Sequence, residues 1–218
     1  MCIRDRSSAF KLLKEGRFKD FFSIALGKFL KIENYQVDYF DFSEASGFRE
    51  LVNGYTLEMD SFTGENSKKL FSNWPDSDEE LRRHKKLCEL YGSELEILTF
   101  KRKGQQQVEH FHFYLDPSSE PRNIPAQVLK LAKDKQAVLR IRVYTFENSR
   151  GNKLGKQSLE PAVQYLADRF QGILAWRGEL NRASIKMSES SGFKKIASMK
   201  RVALPSQKGM EGIIKLNQ

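Results

Sequence analysis

The segment that most constrains the fold is a β-rich run at residues 137–146, followed at once by a short turn and a helical pattern. The turn reads SRGNKLG at 149–155, and the helix is predicted at 159–169. Small residues between a strand and a helix expose backbone N–H groups beside the positive end of the helix. Glycine also lets the backbone approach a bound group closely. By itself such a turn is more often only a connection between strand and helix; the alternative is an anion site suited to a pyrophosphate.

A second segment, LNRASIKMSESSGF at 180–193, follows a short strand predicted at 173–176. Asn181 can cap a helix that Gly192 ends, and a last strand is predicted at 194–203. Each segment is ordinary by itself, because capped helices and glycine turns are common. Their order, and their separation of about 30 residues, make the pair informative.

The remaining pattern predicts a mixed α/β domain. Alternating residues favour strands at 35–42, 95–101 and 108–115, and the last two form a hairpin with Gly104 in its turn. A helix is predicted at 77–91, capped by Asp76 or Ser77 and ended by Gly92.

Two further stretches have weaker patterns. Residues 47–62 are ambiguous and predicted to be partly helical, and the proline-containing stretch 116–125 is predicted to be a loop.

The N-terminal residues are treated separately. Residues 1–6, MCIRDR, resemble a translated sequencing-adapter scar of environmental sequence and are excluded from the fold. Residues 7–34 are predicted to be a basic amphipathic extension with its helix at 10–31. That helix either packs on its own domain, which we favour, or makes weak peripheral contact with an anionic membrane. The domain is expected to span 35–205, and 206–218 to be a peripheral tail.

The net charge of +9 and a pI near 9.5 favour anionic partners: a nucleotide cofactor, nucleic acid or a membrane surface. Lysine and arginine are spread along the chain and no zinc-finger or RRM signature occurs, so nucleic acid is not expected. Cys2, Cys88 and the three histidines have no metal-ligand spacing, and no metal is expected. No apolar run approaches the roughly 20 residues of a membrane span, and no signal peptide is recognised. We therefore expect a reduced, cytoplasmic setting.

Together the two segments resemble the GNAT superfamily of acyl-CoA N-acyltransferases. In that family a cofactor turn, (Q/R)-x-x-G-x-(G/A), follows the fourth strand, and residues 150–155 read RGNKLG. A later family pattern, N-x-x-(A/S)-x-x-x-Y-x-x-x-G-F, is matched in register by Asn181, Ser184, Ser188, Gly192 and Phe193. The resemblance covers 94–202, about half of the chain. It implies an α/β fold with a mixed, mostly antiparallel sheet flanked by helices and with parallel, splayed central strands.

The resemblance also implies acetyl-CoA or another acyl-CoA as cosubstrate. Its pyrophosphate would be bound by Arg150, Gly151, Asn152, Lys153, Leu154 and Gly155. Its pantetheine arm would lie along Val143, Tyr144 and Thr145, and Asn181 and Ser184 would complete the site.

The sequence departs from the family pattern at two positions. Lys153 replaces the middle glycine of the turn, and Ser188 stands where many members carry the tyrosine that protonates the departing thiolate.

The catalytic candidates are accordingly His110, His112, Tyr144 and Ser188. His110 and His112 share one strand face and titrate near neutrality, so they suit a general base. The alternatives are Glu109 or Glu147 as base, with the histidines as ordinary strand residues. Tyr144 is the second candidate acid.

The implied function is transfer of an acetyl or other acyl group to a primary amine by direct attack in a ternary complex. The segments VEHFHFYLD and VYTFENSRGNKLG are similar to a subgroup of bacterial GNAT proteins, some of them near cell-surface polysaccharide synthesis. An amino sugar or another small metabolite is therefore the leading acceptor. The alternative is a catalytically degenerate GNAT-fold module that binds acyl-CoA in regulation, which Lys153 and Ser188 favour.

Overall fold

The computed structural model describes residues 31–45, 55–61, 70–71, 74–203 and 215–217. Its strands are β1 (Lys31–Asp41), β2 (Tyr55–Ser61), β3 (Leu95–Arg102), β4 (Val108–Leu115), β5 (Ala137–Thr145), β6 (Gly172–Gly178), β7 (Lys194–Ala203) and β8 (Lys215–Asn217). Its helices, apart from short 3-10 turns, are α1 (Asp78–Tyr91), α2 (Ala126–Asp134), α3 (Leu154–Gln157), α4 (Leu159–Leu166) and α5 (Arg182–Ser190). The strands form one sheet in the order β2-β3-β4-β5-β6-β1-β7-β8.

The sheet is antiparallel throughout except between β5 and β6, which run parallel. Their pairing ends at Arg140 opposite Ala175, although both strands continue. The register of β5 against β4 shifts at the same place, so Ile141 is an extra residue. Such a bulge bends its strand. The two central strands therefore diverge and leave a V-shaped cleft, which confirms the expected mixed sheet with splayed parallel strands.

Helices cover both faces of the sheet, and each face has its own apolar core. The α4 face includes Phe40, Tyr114, Val138, Ile173 and Phe193, packed with α4 residues such as Leu159 and Leu166. The opposite α1 face includes Val37, Phe111, Phe113 and Leu139, packed with Cys88 and Tyr91 of α1 and Val128 and Ala132 of α2. Within the described residues, no helix is both long and apolar enough to cross a membrane.

The helix ends follow the local signals in the sequence. The Ser77 hydroxyl accepts the Glu80 N–H at 3.4 Å at the start of α1, and Gly92 ends that helix with φ 52°. The side chain of Asn181 accepts the Ser184 N–H at 3.2 Å at the start of α5. These side chains satisfy amide donors that have no partner within the first helical turn.

In three segments the structure differs from the sequence predictions or adds to them. Residues 55–61 form strand β2, because Tyr55, Leu57 and Met59 alternate with polar residues as a strand requires. The rest of the segment predicted to be partly helical, 47–54 and 62, lies outside the described residues. Helix α2 was missed, although Pro125 marks its start and its buried residues follow helical spacing. Residues 215–217 of the expected tail pair with β7 at the edge of the sheet, and the rest of that tail, 206–214 and 218, lies outside the described residues. The predicted helix at 10–31 lies outside the described residues except for Lys31, which begins β1; residues 1–6 lie outside them entirely.

Histidines occupy the core on both faces. On the α4 face, His110 Nε2 lies 2.8 Å from His112 Nε2, and the Ser158 Oγ lies 2.8 Å from the same His112 nitrogen. The remaining ring nitrogens meet Thr145 at 2.7 Å and Tyr114 at 2.6 Å.

His84 lies on the α1 face, where its Nδ1 is 2.7 Å from the Glu80 carbonyl. A carbonyl only accepts, so the proton sits on Nδ1, and Nε2 accepts the Arg142 Nε–H at 3.1 Å.

Burial keeps these rings uncharged. It lowers the pKa of His110 to about 3, helped by the positive charge of Arg140. Burial likewise lowers the pKa of His84 to about 4, helped by Arg142, and places the pKa of His112 well below its usual value. All three are therefore neutral at physiological pH.

These pKa values predict acid-sensitive folding. An unfolded histidine protonates near pH 6.5 while the buried one does not, so stability is complete above pH 6.5 and falls as the pH drops toward the folded pKa values. Each histidine lowers the free energy of unfolding by up to about 1.4 kcal/mol per pH unit in that window. Urea unfolding at pH 7.5, 6.0 and 5.0 measures the effect. A free energy of unfolding that stays constant over this range would contradict the buried, neutral state.

The start of β6 leaves no room for a side chain. A Cβ placed on Gly172 would lie 2.4 Å from the Phe40 carbonyl oxygen and 2.4 Å from the Tyr39 ring. At the other end of the strand, a Cβ on Gly178 would meet no atom within 4 Å.

Gly172→Ala should therefore destabilise the protein by about 1–3 kcal/mol, because backbone and a packed ring must both shift. Gly178→Ala is the matched control and should change stability by less than about 0.5 kcal/mol. Urea unfolding of both variants makes the comparison, and equal effects would show that the close packing at Gly172 is not rigid.

Candidate functional site

The divergence of β5 and β6 opens a cavity of about 650 Å³ beyond their last pair. One wall is the C-terminal half of β5 and the other is the end of β6. The loop after β5 and the first turns of α5 close the remaining sides. A cleft whose walls are unpaired strand edges presents backbone N–H and C=O groups to an extended ligand.

The loop at the mouth of the cleft presents a series of backbone donors. The N–H groups of residues 151–155 donate to no acceptor within the part of the chain that the structure describes. The flanking amides do have partners, since Arg150 donates to the Glu147 carbonyl at 3.2 Å and Lys156 to the Lys153 carbonyl at 3.0 Å. Successive amides with no internal acceptor form a concave site for an anion.

Positive φ angles shape this loop. Gly151 has φ +89° and Lys153 has φ +57°. Lys153 therefore stands in a left-handed conformation that glycine adopts freely and that costs another residue about 1 kcal/mol. Lys153 thus has a backbone conformation typical of glycine and still offers its backbone amide. Its side chain adds an ammonium group beside the cleft.

Tyr144 lines the cleft and is held from the α1 face. Its hydroxyl donates to Asp76 Oδ2 at 2.5 Å, and Asp76 also accepts the Glu147 N–H at 3.2 Å. Trp74 stacks on the Tyr144 ring with centroids 5.6 Å apart. Burial, followed by the bond to Asp76, raises the pKa of Tyr144 well above 10. The phenol is therefore protonated and fixed in one orientation.

Two arginines meet at the apex of the cleft, on the α4 face. Arg140 is 5 % exposed; its Nη2 donates to the Ser188 Oγ at 3.1 Å, and its guanidinium lies 4.1 Å from the centre of the Phe193 ring. Arg177 donates to the same Ser188 oxygen and to Ser184, and it forms an ion pair with buried Asp38. Both arginines line the cleft.

The structure places most of the expected cofactor residues on the cavity wall, except Asn152, which is exposed on the loop. Those on the wall are Val143, Tyr144, Thr145, Arg150, Gly151, Lys153, Leu154, Gly155, Asn181 and Ser184. Their roles in binding remain predictions.

The expected catalytic residues are not brought together. Tyr144 lines the cleft, whereas His110, His112 and Ser188 are buried and do not line it. The histidines bond to each other and to Ser158 inside the α4-face core, with low pKa values, and this placement argues against a base that meets an amine directly.

The alternative carboxylates also occupy different places. Glu109 bonds the Tyr55 hydroxyl at 2.8 Å and an exposed arginine, Arg102, and it does not line the cleft. Glu147 lies near the cleft rim in an ion pair with Arg150 at 3.1 Å, and its N–H donates to Asp76.

Sequence reasoning missed the buried charges at the cleft. Arg140 and Arg177 interrupt the apolar runs AVLRIRVYT and GILAWRG, and Asp38 lies in an otherwise β-rich strand. A charge in the middle of a buried strand is a signal, because such a residue is retained only where a partner or ligand meets it.

No protein-family model matches the sequence, and no curated protein matches it. Solved structures do match. A functionally unknown conserved protein from Staphylococcus epidermidis is similar with 10 % identity and a TM-score of 0.53, covering 78 % of this chain and 60 % of that one. A tandem GNAT protein from the clavulanic acid biosynthesis pathway is similar with 14 % identity and a TM-score of 0.53, covering 87 % of this chain and 59 % of that one.

At these identities the likeness concerns the fold, and the chain spans about 60 % of the length of the two structures. The mixed sheet with one parallel pair, its cleft and its helices on both faces agree with that likeness. The chain therefore shares the fold of these two structures, one of which is a tandem GNAT protein.

Proposed function

We propose that this protein is an acyl-CoA-dependent N-acyltransferase that moves an acetyl or other acyl group to a primary amine. The observation that carries the proposal is the row of amides at residues 151–155 at the mouth of the cleft between β5 and β6. A pyrophosphate needs several converging donors, and backbone amides supply them without desolvating a charged side chain. Arg150 and Lys153 add positive charge on the same wall.

The cleft has the form that an extended pantetheine arm requires. Beyond Arg140 and Ala175 the two central strands no longer pair, so strand-edge amides and carbonyls of residues 141–145 and 176–178 line it. An extended amide-containing arm can bond to such an edge as an added strand does. This arrangement would place the thioester between the two strands.

The reaction is then a direct attack. The amine nitrogen adds to the thioester carbon, the C–S bond breaks, and the acyl group stays on nitrogen while CoA leaves as a thiolate. Proximity of the two bound substrates supplies much of the acceleration, and a strand N–H can stabilise the oxyanion. The nitrogen loses one proton to a base, and the thiolate takes one from solvent.

Tyr144 and Asp76 are the groups best placed to accept the amine proton. The Tyr144 hydroxyl passes its proton to Asp76 Oδ2 along the existing hydrogen bond as it receives one from the nitrogen. His110, His112 and Ser188 take no part in this scheme, because they are buried away from the cleft wall.

The acceptor is proposed to be a small amine, with an amino sugar among the candidates. Asp76 lies on the Tyr144 side of the sheet, where Glu80 is paired with Arg142 at 2.8 Å and Glu147 with Arg150 at 3.1 Å. The carboxylate of Asp76 favours approach of a cationic amine.

A second candidate is a module that binds acyl-CoA without turnover. The burial of Ser188 favours it, since the expected family acid is replaced by a hydroxyl that accepts from two arginines.

The loop geometry predicts how two variants bind CoA. Gly151→Val should weaken CoA binding at least tenfold, about 1.4 kcal/mol, because a β-branched residue cannot hold φ +89° and the amides turn away. Lys153→Gly keeps the conformation and the amide while removing the ammonium, so its affinity should fall only a few-fold. Isothermal titration measures both affinities, and circular dichroism checks the folding. Unchanged binding by Gly151→Val would contradict amide recognition of the pyrophosphate.

A thiol-release assay with acetyl-CoA, with other acyl-CoAs including dicarboxylic ones, and with a panel of primary amines tests the proposed reaction. Tyr144→Phe should lower turnover about 10- to 100-fold with unchanged CoA affinity, because it removes the proton relay to Asp76. Tyr165→Phe is the matched control, since Tyr165 is 47 % exposed on α4, and it should keep full activity. CoA binding with no thiol release by the wild type for any amine favours the non-catalytic module. Full turnover by Tyr144→Phe would remove Tyr144 from the mechanism.

A further inference from the structure

The apex of the cleft holds positive charge that the described residues, 31–45, 55–61, 70–71, 74–203 and 215–217, do not balance. Arg140 and Arg177 converge on Ser188, and Asp38 is the buried carboxylate that pairs with one of them. The other neighbours of Arg140, namely Tyr114, His110 and His112, are uncharged. After Asp38, the other acidic group that affects the pKa of Arg177 is Glu189, which is exposed to solvent. Two buried cations thus face one buried anion.

Their hydrogen bonding is also incomplete. Among the described residues, four buried side-chain polar atoms have no hydrogen-bond partner, and three of them are Arg140 Nε, Arg140 Nη1 and Arg177 Nε. Buried donors without acceptors are rare in folded proteins, and an unpaired buried charge is more costly still. Burial lowers the pKa of Arg140 to about 10, so the group is still charged at neutral pH.

Elsewhere in the part of the chain that the structure describes, Trp74 Nε1 is the one other buried side-chain atom without a hydrogen-bond partner. Asp38 is satisfied by the Gln36 side chain at 2.6 Å and by Arg177, and the His110–His112 pair is bonded at both ends. Arg142 has Glu80 and His84 as partners. Three of these four unmatched atoms therefore belong to Arg140 and Arg177; both residues line the cleft, and the three unmatched nitrogens are themselves buried behind its surface.

We propose that Arg140 and Arg177 form a carboxylate subsite at the apex of the cleft, and that the acyl group of the cosubstrate carries this carboxylate. The source of the carboxylate rests on the proposed function. A guanidinium bonds a carboxylate with charge-assisted hydrogen bonds, and a ligand carboxylate would balance the second cation.

The positions of the two sites along the cleft indicate which end of the ligand lies at the apex. The amides of residues 151–155 lie at the mouth, while Arg140 belongs to the last residue pair of the parallel ladder. A CoA thioester bound by its pyrophosphate at the mouth extends its acyl end toward the apex. The predicted cosubstrate class is therefore a dicarboxylic acyl-CoA, such as a succinyl or malonyl thioester, rather than acetyl-CoA.

The first test needs only the wild-type protein. Isothermal titration compares succinyl-CoA with butyryl-CoA, which has the same number of acyl carbons and no carboxylate, and with CoA itself. We expect succinyl-CoA to bind at least tenfold more tightly than butyryl-CoA. Equal affinities of the two thioesters would overturn the assignment of the carboxylate to the acyl group.

The second test uses Arg140→Met, with Arg169→Met as the matched control because Arg169 is a partly exposed arginine outside the cleft. Arg140→Met should abolish the preference for succinyl-CoA and leave CoA affinity unchanged, whereas Arg169→Met should keep the preference. Removing the unbalanced charge should also raise the thermal unfolding midpoint of the ligand-free protein or leave it unchanged. A preference that survives in Arg140→Met would exclude Arg140 from the subsite.

Two further experiments are needed. One shows whether the acyl group or the acceptor carries the carboxylate, and the other tests the subsite even if the proposed function fails. If the acceptor carries the carboxylate, thiol release will be faster with β-alanine than with propylamine in the wild type but not in Arg140→Met; the subsite then stands and its assignment to the acyl group is wrong. If CoA does not bind at all, the proposed function fails, and succinate alone still tests the subsite. Succinate should raise the unfolding midpoint of the wild type and not of Arg140→Met. Absence of a preference in the thioester and amine comparisons, together with no effect of succinate, would overturn the subsite.

Discussion

The parallel ladder between β5 and β6 stops at Arg140 and Ala175, and the rest of the site depends on that stop. The extra residue Ile141 bends β5, so two strands that continue in sequence no longer exchange hydrogen bonds. Backbone groups that a sheet would normally satisfy then border a cleft in the middle of the molecule. The loop after β5 meets the mouth of this cleft, and two arginines meet at its apex. One backbone irregularity therefore supplies the space, the edges and the direction of the proposed binding site.

The polar groups around the cleft carry different charges on the two faces of the sheet. On the α4 face, burial keeps His110 and His112 neutral while Arg140 and Arg177 stay charged, so the apex is cationic. On the α1 face, Tyr144 is fixed by a carboxylate. An anionic cosubstrate on one side and a cationic amine on the other would each meet the opposite charge. This division supports a ternary complex in which the two substrates approach from different faces.

Local signals in the sequence predicted local structure well. Ser77 and Asn181 cap the helices expected of them, and the loop at 149–155 follows β5 as its pattern indicated. Placement across the sheet was harder to infer, because alternation shows which residues share a face and not what covers it. His110 and His112 were correctly assigned to one face, but α4 and Ser158 bury them. Arg140 on β5 lies close to an arginine on the neighbouring strand because of where the parallel ladder ends. The residue pattern within one strand does not show where its pairing with another strand ends.

The proposed function depends on binding of the CoA diphosphate by the amides of residues 151–155. Amide chemical shifts in a ¹H–¹⁵N correlation spectrum, followed during titration with CoA and separately with pantetheine, test it most directly. We expect large, saturable shifts of these five amides with CoA and small ones with pantetheine, which lacks the diphosphate. Saturable CoA binding that leaves these amides unshifted while others move would contradict it.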